Sequence, residues 1–375
     1  MSLLNNKRIV YTVISAILLA AAAAGTILLS GKLDSKESAM VTDEKLTIVQ
    51  NKDGHKVTIR MGMTKKQVDK RLGKPQTYRS PEGGQYYKYD DVMAAYLDDH
   101  LALFSLGEQS SLANGVTLAM SPNEALEQLG PTSIPNTMTY GYQWDSKAES
   151  LDQVAGEAAM KQLEGQADFY ELRLSVNALG DLYSIQIVRS DYTVAIMEQV
   201  ARNNASAMPT EPPQPLTTAD LSMVKGDGGP QSTVSLGMSR KEAESIVGEP
   251  ILESSVGGVS YDGIKIGYRD DHVVALTIKL DEETTTIYKT VRGAGVLSNR
   301  QLVEGLYGEP TSYEKSYLNY LLVTEGDKLG ILTAEDMNDQ TKKPAYYLSM
   351  IVGDSSEELI EYLSFSDLQY AMTGK

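Results

Sequence analysis

Four segments of this chain share one local grammar, and an internal repeat of that kind limits the fold before any other feature does. Met63-Thr64-Lys65-Lys66-Gln67-Val68 runs to Leu72-Gly73-Lys74-Pro75, and Met120-Ser121-Pro122-Asn123-Glu124-Ala125 to Leu129-Gly130-Pro131. Met238-Ser239-Arg240-Lys241-Glu242-Ala243 runs to Val247-Gly248-Glu249-Pro250, and Leu297-Ser298-Asn299-Arg300-Gln301-Leu302 to Leu306-Tyr307-Gly308-Glu309-Pro310. Each predicts a short helix. Thr64, Ser121, Ser239 and Ser298 are placed to cap the N-terminus, and Gln67, Glu124, Glu242 and Gln301 complete a capping box that satisfies amides otherwise orphaned. The staples expected across each cap are Met63 with Val68, Met120 with Ala125, Met238 with Ala243 and Leu297 with Leu302. Leu72, Leu129, Val247 and Leu306 continue the same apolar stripe. A glycine and then a proline end every copy. The fourth copy carries one extra residue, Tyr307, before its glycine.

The stretches after the helices alternate as antiparallel strands do. Strands are expected over 85–89, 92–97 and 101–106 after the first helix, and over 258–261, 264–268 and 273–278 after the third. After the second they are expected over 137–144, 169–176 and 182–189, with a polar insertion at 145–168 that has room for a helix. After the fourth they are expected over 317–323, 328–333 and 345–352. The longest interval between repeats lies between the second and third copies, so the copies pair into two homologous halves. Each half is expected to close on a helical stretch, 192–203 in the first and 356–372 in the second. The pattern predicts an α+β chain of short capped helices on antiparallel sheets. The first repeat pair is expected over 46–205 and the second over 233–375, joined by a Pro/Gly-rich spacer at 206–232.

The N-terminus carries the strongest physical signal. Ile9 to Leu29 contains no charge, and as a helix it matches the roughly 30 Å hydrocarbon layer. Lys7 and Arg8 precede it, while Lys32, Asp34, Lys36 and Glu37 after it balance in sign. By the positive-inside rule, residues 1–31 form a cytoplasmic stub and transmembrane signal-anchor, 32–45 a juxtamembrane linker, and the remainder is extracytoplasmic. The predicted localisation is the cell membrane, single-pass. A cleaved signal peptide ending in the Ala20 to Ala24 run is the competing reading.

Composition narrows the function. A net charge of −16 without any cluster of Lys and Arg argues against nucleic acid, whose phosphates need such clusters. The absence of cysteine excludes disulfides, thiolate metal sites and cysteine nucleophiles. Asp98-Asp99-His100 and Asp270-Asp271-His272 read as hairpin turns, where Asp tolerates unusual dihedrals, and no metal site is assigned. Ser312-Tyr313-Glu314-Lys315 matches Ser-x-x-Lys without the companion motifs of penicillin-binding enzymes. No catalytic residue and no cofactor is assigned.

Gly62-Met63-Thr64-Lys65-Lys66-Gln67-Val68, Leu72-Gly73-Lys74-Pro75, the strand Tyr87-Lys88-Tyr89-Asp90 and the Asp-Asp-His turn together resemble the SmpA/OmlA (BamE-like) module. Leu236-Gly237-Met238-Ser239 through Gly248-Glu249-Pro250 resembles it equally well. The module is itself similar to the tandem repeat of the β-lactamase inhibitory proteins. The resemblance implies helices packed on a small antiparallel sheet and a role in binding other envelope proteins without catalysis. This chain departs from the family pattern in lacking a lipidated cysteine, in its N-terminal apolar segment and in its four modules.

The expected function is thus a non-enzymatic, membrane-anchored bacterial cell-envelope module that binds a protein partner for inhibition or assembly. The alternative is a sensor or ligand-binding ectodomain for a wall glycan or small molecule. The 22 tyrosines alternate along several strands, and Tyr87, Tyr89 and Tyr261 are the candidate partner-binding residues, because tyrosine gives contact area at low entropic cost; ordinary cross-strand packing on a half-buried sheet is the competing reading of the same alternation.

Overall fold

The computed structural model describes residues 40–374 except 53, 80–83, 136, 177–179, 227–231, 255–257, 280–285, 315, 327, 334, 337–343 and 354–357. The chain divides into two compact units, Met1–Gln199 and Val200–Lys375.

The first unit opens with β1 (Thr47–Lys52) and β2 (His55–Arg60), followed by α1 (Lys65–Leu72). Then come β3 (Gln76–Arg79), β4 (Gln85–Tyr89), β5 (Val92–Leu97), β6 (His100–Leu106) and β7 (Ser110–Leu112). The second repeat contributes α2 (Pro122–Leu129), β8 (Thr139–Asp145), β9 (Ser150–Val154), α3 (Glu157–Gln162), β10 (Phe169–Val176) and β11 (Leu182–Arg189), before α4 (Ser190–Ala207). Both repeats share one antiparallel sheet in the order β3-β4-β5-β6-β11-β10-β8-β9, joined where β6 pairs β11, with a small sheet β2-β1-β7 beside it. On one face of the large sheet, Val68 and Leu72 of α1 and Ala125 and Leu129 of α2 pack with Tyr89, Phe104, Tyr140, Leu172 and Ile187. On the other face Tyr192 and Ile196 of α4 close a second apolar cluster over Tyr86, Met93, Ala95, Leu103 and Val188.

The second unit repeats the plan. It runs through β12 (Leu216–Thr217), β13 (Ser222–Lys225), β14 (Thr233–Ser235), α5 (Arg240–Val247), β15 (Leu252–Ser254), β16 (Gly258–Tyr261), β17 (Ile264–Arg269), β18 (His272–Lys279) and β19 (Tyr288–Thr290). It continues with α6 (Arg300–Tyr307), β20 (Ser312–Glu314), β21 (Tyr317–Glu325), β22 (Lys328–Ile331), β23 (Tyr346–Val352), β24 (Ile360–Asp367) and α7 (Leu368–Thr373). Its large sheet is ordered β12-β22-β21-β23-β24-β18-β17-β16-β15, with β20 on β21, and β14-β13-β19 form the small one. The pairing of β18 with β24 repeats that of β6 with β11. Within 206–232, β12 and β13 are both paired strands.

The helix ends follow from side-chain chemistry. Thr64, Ser121 and Ser239 each accept from the amide three residues on, and Gln67, Glu124 and Glu242 return the bond, so three capping boxes form. In the fourth helix the cap is Asn299, which accepts from the Leu302 amide, while Ser298 accepts from Gly295. All four helices have the same length, so the extra Tyr307 moves the start on by one; Val303 and Tyr307, rather than Leu302 and Leu306, take the positions of Val68 and Leu72. The closing glycines adopt positive φ with extended ψ, as at Gly73 (94°, −168°), a region open essentially to glycine alone.

Three expectations are corrected. The fold is dominated by strand and is a β-rich architecture, not an α+β chain with a transmembrane helix. The capped helices are short and loud in sequence, whereas the quieter strands fill most of the remainder. No helix among the described residues is long and apolar enough to cross a membrane, and Ile9–Leu29 lies outside the described residues. The single-pass, signal-anchored localisation at the cell membrane therefore does not stand. The second half also does not close on one long helix: 360–367 is the strand β24, and only Leu368–Thr373 is helical.

Candidate ligand-binding groove

The tyrosines singled out in the sequence serve mainly to hold helices on sheets. Tyr89 and Tyr261 are 2% and 4% exposed. The Tyr89 hydroxyl donates to Asp69 of α1 at 2.6 Å and meets the Tyr96 hydroxyl at 2.9 Å. Tyr261 repeats this with Glu244 of α5 at 3.2 Å and Tyr268 at 3.1 Å. Burial, with the neighbouring carboxylate, pushes both hydroxyls above the ordinary phenol range, so they stay protonated and can donate. Tyr87 is half-buried, packs edge-on against Tyr96 and lies under the Lys65 ammonium at 4.7 Å. Tyr140 and Tyr320 do the same work in the other copies by donating to the carbonyls of Gly130 and Gly308. The structure thus separates these residues: Tyr89 and Tyr261 lie inside two different units, and neither is on an open face.

The Asp-Asp-His segments are two-residue hairpins. Asp98, Asp99, Asp270 and Asp271 all have positive φ, the conformation a tight primed turn demands. The Asp99 and Asp271 carbonyls accept the amides of Lys65 and Arg240 at 2.9 and 2.7 Å, so each turn ties down the first residue of a helix. Each histidine ring nitrogen Nδ1 lies 2.8 Å from the carbonyl of Asp98 or Asp270.

A different feature stands out on the second unit. The sheet face away from α5 and α6 carries a groove of about 580 Å³ lined by β16, β17, β18, β23, β24 and α7. Strand register explains its floor. Ser260 pairs Lys265, Lys265 pairs Thr277, Thr277 pairs Ser364, and Ser364 pairs Ser349, which in turn pairs Asn319. Because side chains at directly paired positions point to one face, this is a continuous polar row across six strands. The Thr277 and Ser364 hydroxyls are 2.9 Å apart, and Asn319 accepts from Tyr347 at 2.7 Å and Ser349 at 3.1 Å. Tyr362 lies on one side of the row, and Tyr347 and Tyr370 on the other.

Tyr370 reaches the groove through one glycine. A Cβ on Gly267 would come within 2.4 Å of the Tyr370 ring, so only glycine lets the ring lie on the strand. Asp367 holds α7 in place by accepting from the Tyr370 amide at 2.7 Å and by pairing with Arg269 of β17. Burial and the nearby Tyr362 raise the Tyr370 hydroxyl above the usual phenol range.

The equivalent face of the first unit is sealed. By register, Met93, Ala95, Leu103 and Val188 correspond to Lys265, Gly267, Ala275 and Ser366. The first set is covered by α4; the second lies at or beside the groove. The signal for this site was present in the alternation of Lys265, Thr277, Tyr362 and Ser364, but the pairing of β18 with β24 had to be known to align them.

Comparison with known protein families and with curated proteins gives no match. Among solved structures, the chain is similar to an extracellular protein containing a SCP domain from Bacillus anthracis str. Ames, at 9% identity over 91% of this chain and 99% of that one, with a TM-score of 0.28. It is also similar to a Trypanosoma rangeli sialidase in complex with sialic acid, at 9% identity over 85% and 56% of the two chains, with a TM-score of 0.15. At such scores neither likeness bears on fold or activity.

Proposed function

We propose that this chain is a non-catalytic binding protein and that the open face of its second unit receives a hydroxylated ligand, an oligosaccharide segment, along the polar row. The observation that carries this reading is the contrast between equivalent faces. Both carry polar floor positions, Ser105 and Gln186 standing where Thr277 and Ser364 do, but the first is sealed by the apolar face of α4, whereas the second is open and flanked by tyrosine. Hydroxyl groups and the Lys265 ammonium across successive strands stand at a spacing of about 4.8 Å, so the five strands from Ser260 to Ser349 span roughly 19 Å, enough for several sugar rings. Tyrosine rings offer the apolar faces of those rings a rigid surface.

The test is titration of the full chain against a panel of oligosaccharides, followed by Ser364→Leu, which fills the floor, and Tyr362→Ala, which removes one flank. Each folded variant is expected to lose at least tenfold in affinity for whichever sugar binds. Unchanged binding by both variants overturns the assignment.

A protein partner, the other reading of the sequence, has its own support at the outer strand β15. There Ile251 and Leu252 are 54% and 62% exposed at an open sheet edge, and edges of this kind accept an added strand. Ile251→Lys with Leu252→Lys is expected to abolish any partner capture that Ser364→Leu leaves intact.

A further inference from the structure

We propose that the groove selects an acidic ligand: a polyhydroxylated anion whose carboxylate or phosphate is held by the Lys265 ammonium. The proposal rests on the reading that the groove binds such a ligand at all, and it concerns the charge that the ligand must bring.

The chain holds 50 acidic residues against 34 basic ones, yet among the described residues none lining the groove is acidic and two, Lys265 and Lys279, are basic. The described lining thus carries charge opposite in sign to that of the chain. Lys265 is half-buried, sits within the polar row between Ser260 and Thr277, and has no ion-pair partner among the described residues. Three ammonium protons in a partly desolvated place call for an acceptor. In the first unit the same register position is Met93, which lies buried beneath α4. At this position the lysine therefore accompanies the open face, whereas the sealed row has its basic residues, Lys88 and Arg173, at the positions of Ser260 and Ser349.

The neighbours extend the recognition beyond a point charge. Thr277 and Ser364 stand next along the row and supply hydroxyls to the ligand's own hydroxyls, and Tyr362 flanks the strand pair that carries them. A lone inorganic anion would use the lysine and leave the row idle. The arrangement instead fits an anion carried on a polyol, with uronic acid sugars and phosphorylated polyols as the two sources of that chemistry.

The experiment is calorimetric titration of the full chain with three probes: a galacturonic acid tetramer, a glycerol phosphate oligomer and a neutral galactose tetramer. At least one acidic probe is expected to bind about tenfold or more tightly than the neutral one, the scale of one charge-assisted hydrogen bond. The stronger acidic probe identifies the source. Lys265→Met, the residue that the first unit carries, should abolish the preference for the acidic probe by weakening acidic binding more than neutral binding; Lys265→Arg should retain the preference. Neutral binding equal to acidic binding, or an equal loss of both in Lys265→Met, overturns the acidic selection while leaving the groove in place. Binding of an acidic probe that survives both Lys265→Met and Ser364→Leu moves the ligand out of the groove and overturns both readings.

Discussion

At the scale of single residues, tyrosine is used here as a clamp. The Tyr261 hydroxyl bridges Glu244 of α5 and Tyr268 of β17, so Tyr261→Phe should cost about 1 kcal/mol, the net worth of an ordinary hydrogen bond. Urea unfolding followed at the second unit measures it, and no loss would mean that the hydroxyl is idle. Two glycines make a sharper pair. A Cβ on Gly107 would meet the backbone oxygen of Asp91 at 2.2 Å, whereas the atoms nearest to one on Gly267 belong to the side chain of Tyr370. Backbone cannot yield as a side chain can, so Gly107→Ala should destabilise by about 1–3 kcal/mol. Gly267→Ala should cost less, displace Tyr370 and weaken ligand binding. Equal stability losses in the two variants would contradict that account. The alternation of tyrosines was legible in the sequence, but the buried face was not. Only the matching carboxylates Asp69 and Glu244, five residues after the two caps, hinted that Tyr89 and Tyr261 faced inward.

At the scale of elements, the capped helices were the legible part, because a cap is a local event fixed by a few adjacent residues. Three of them begin where the capping boxes indicate. The fourth was misplaced by one residue, and counting back from Gly308 by the length common to the others would have chosen Asn299. Asn299→Ala is therefore expected to lower the stability of the second unit by about 1 kcal/mol, and denaturant melts check this directly; an unchanged midpoint would return the cap to Ser298. The strand β24 was misread for another reason. Leu359, Ile360 and Leu363 fit a helical spacing while Leu363 and Phe365 fit a strand's, and short apolar runs cannot be assigned by period alone. Pairing with both β18 and β23 decides it. The groove was hidden by the same error, since Tyr362, Ser364 and Ser366 take their places on its wall only when 360–367 is extended.

At the scale of the whole molecule, the same titrating device recurs once in each unit, at Glu124 in the first and Glu242 in the second. The Glu124 carboxylate accepts from both the amide and the hydroxyl of Ser121, and Glu242 does so from Ser239. In Glu124 the amide bond is the larger cause of a lowered pKa, in Glu242 the hydroxyl bond. A carboxylate with a lowered folded-state pKa adds stability that is present above its ordinary range and is lost as pH falls through the lowered value. Asp91 opposes this: burial, only partly offset by bonds from Ser110 and Gln109, raises its pKa, so protonation relieves a cost as the solution is acidified. Acidification also reduces the self-repulsion of a chain at −16. Those opposing contributions blur any reading of the wild type alone. Glu124→Gln combined with Glu242→Gln separates them, because glutamine keeps the box, as Gln67 does in α1, and does not titrate. The double variant should unfold at lower urea concentration than the wild type at pH 7, and the two midpoints should converge as pH is taken down through the glutamate range. A gap that stays constant with pH would assign the loss to packing, and the boxes would then contribute no pH dependence to either unit.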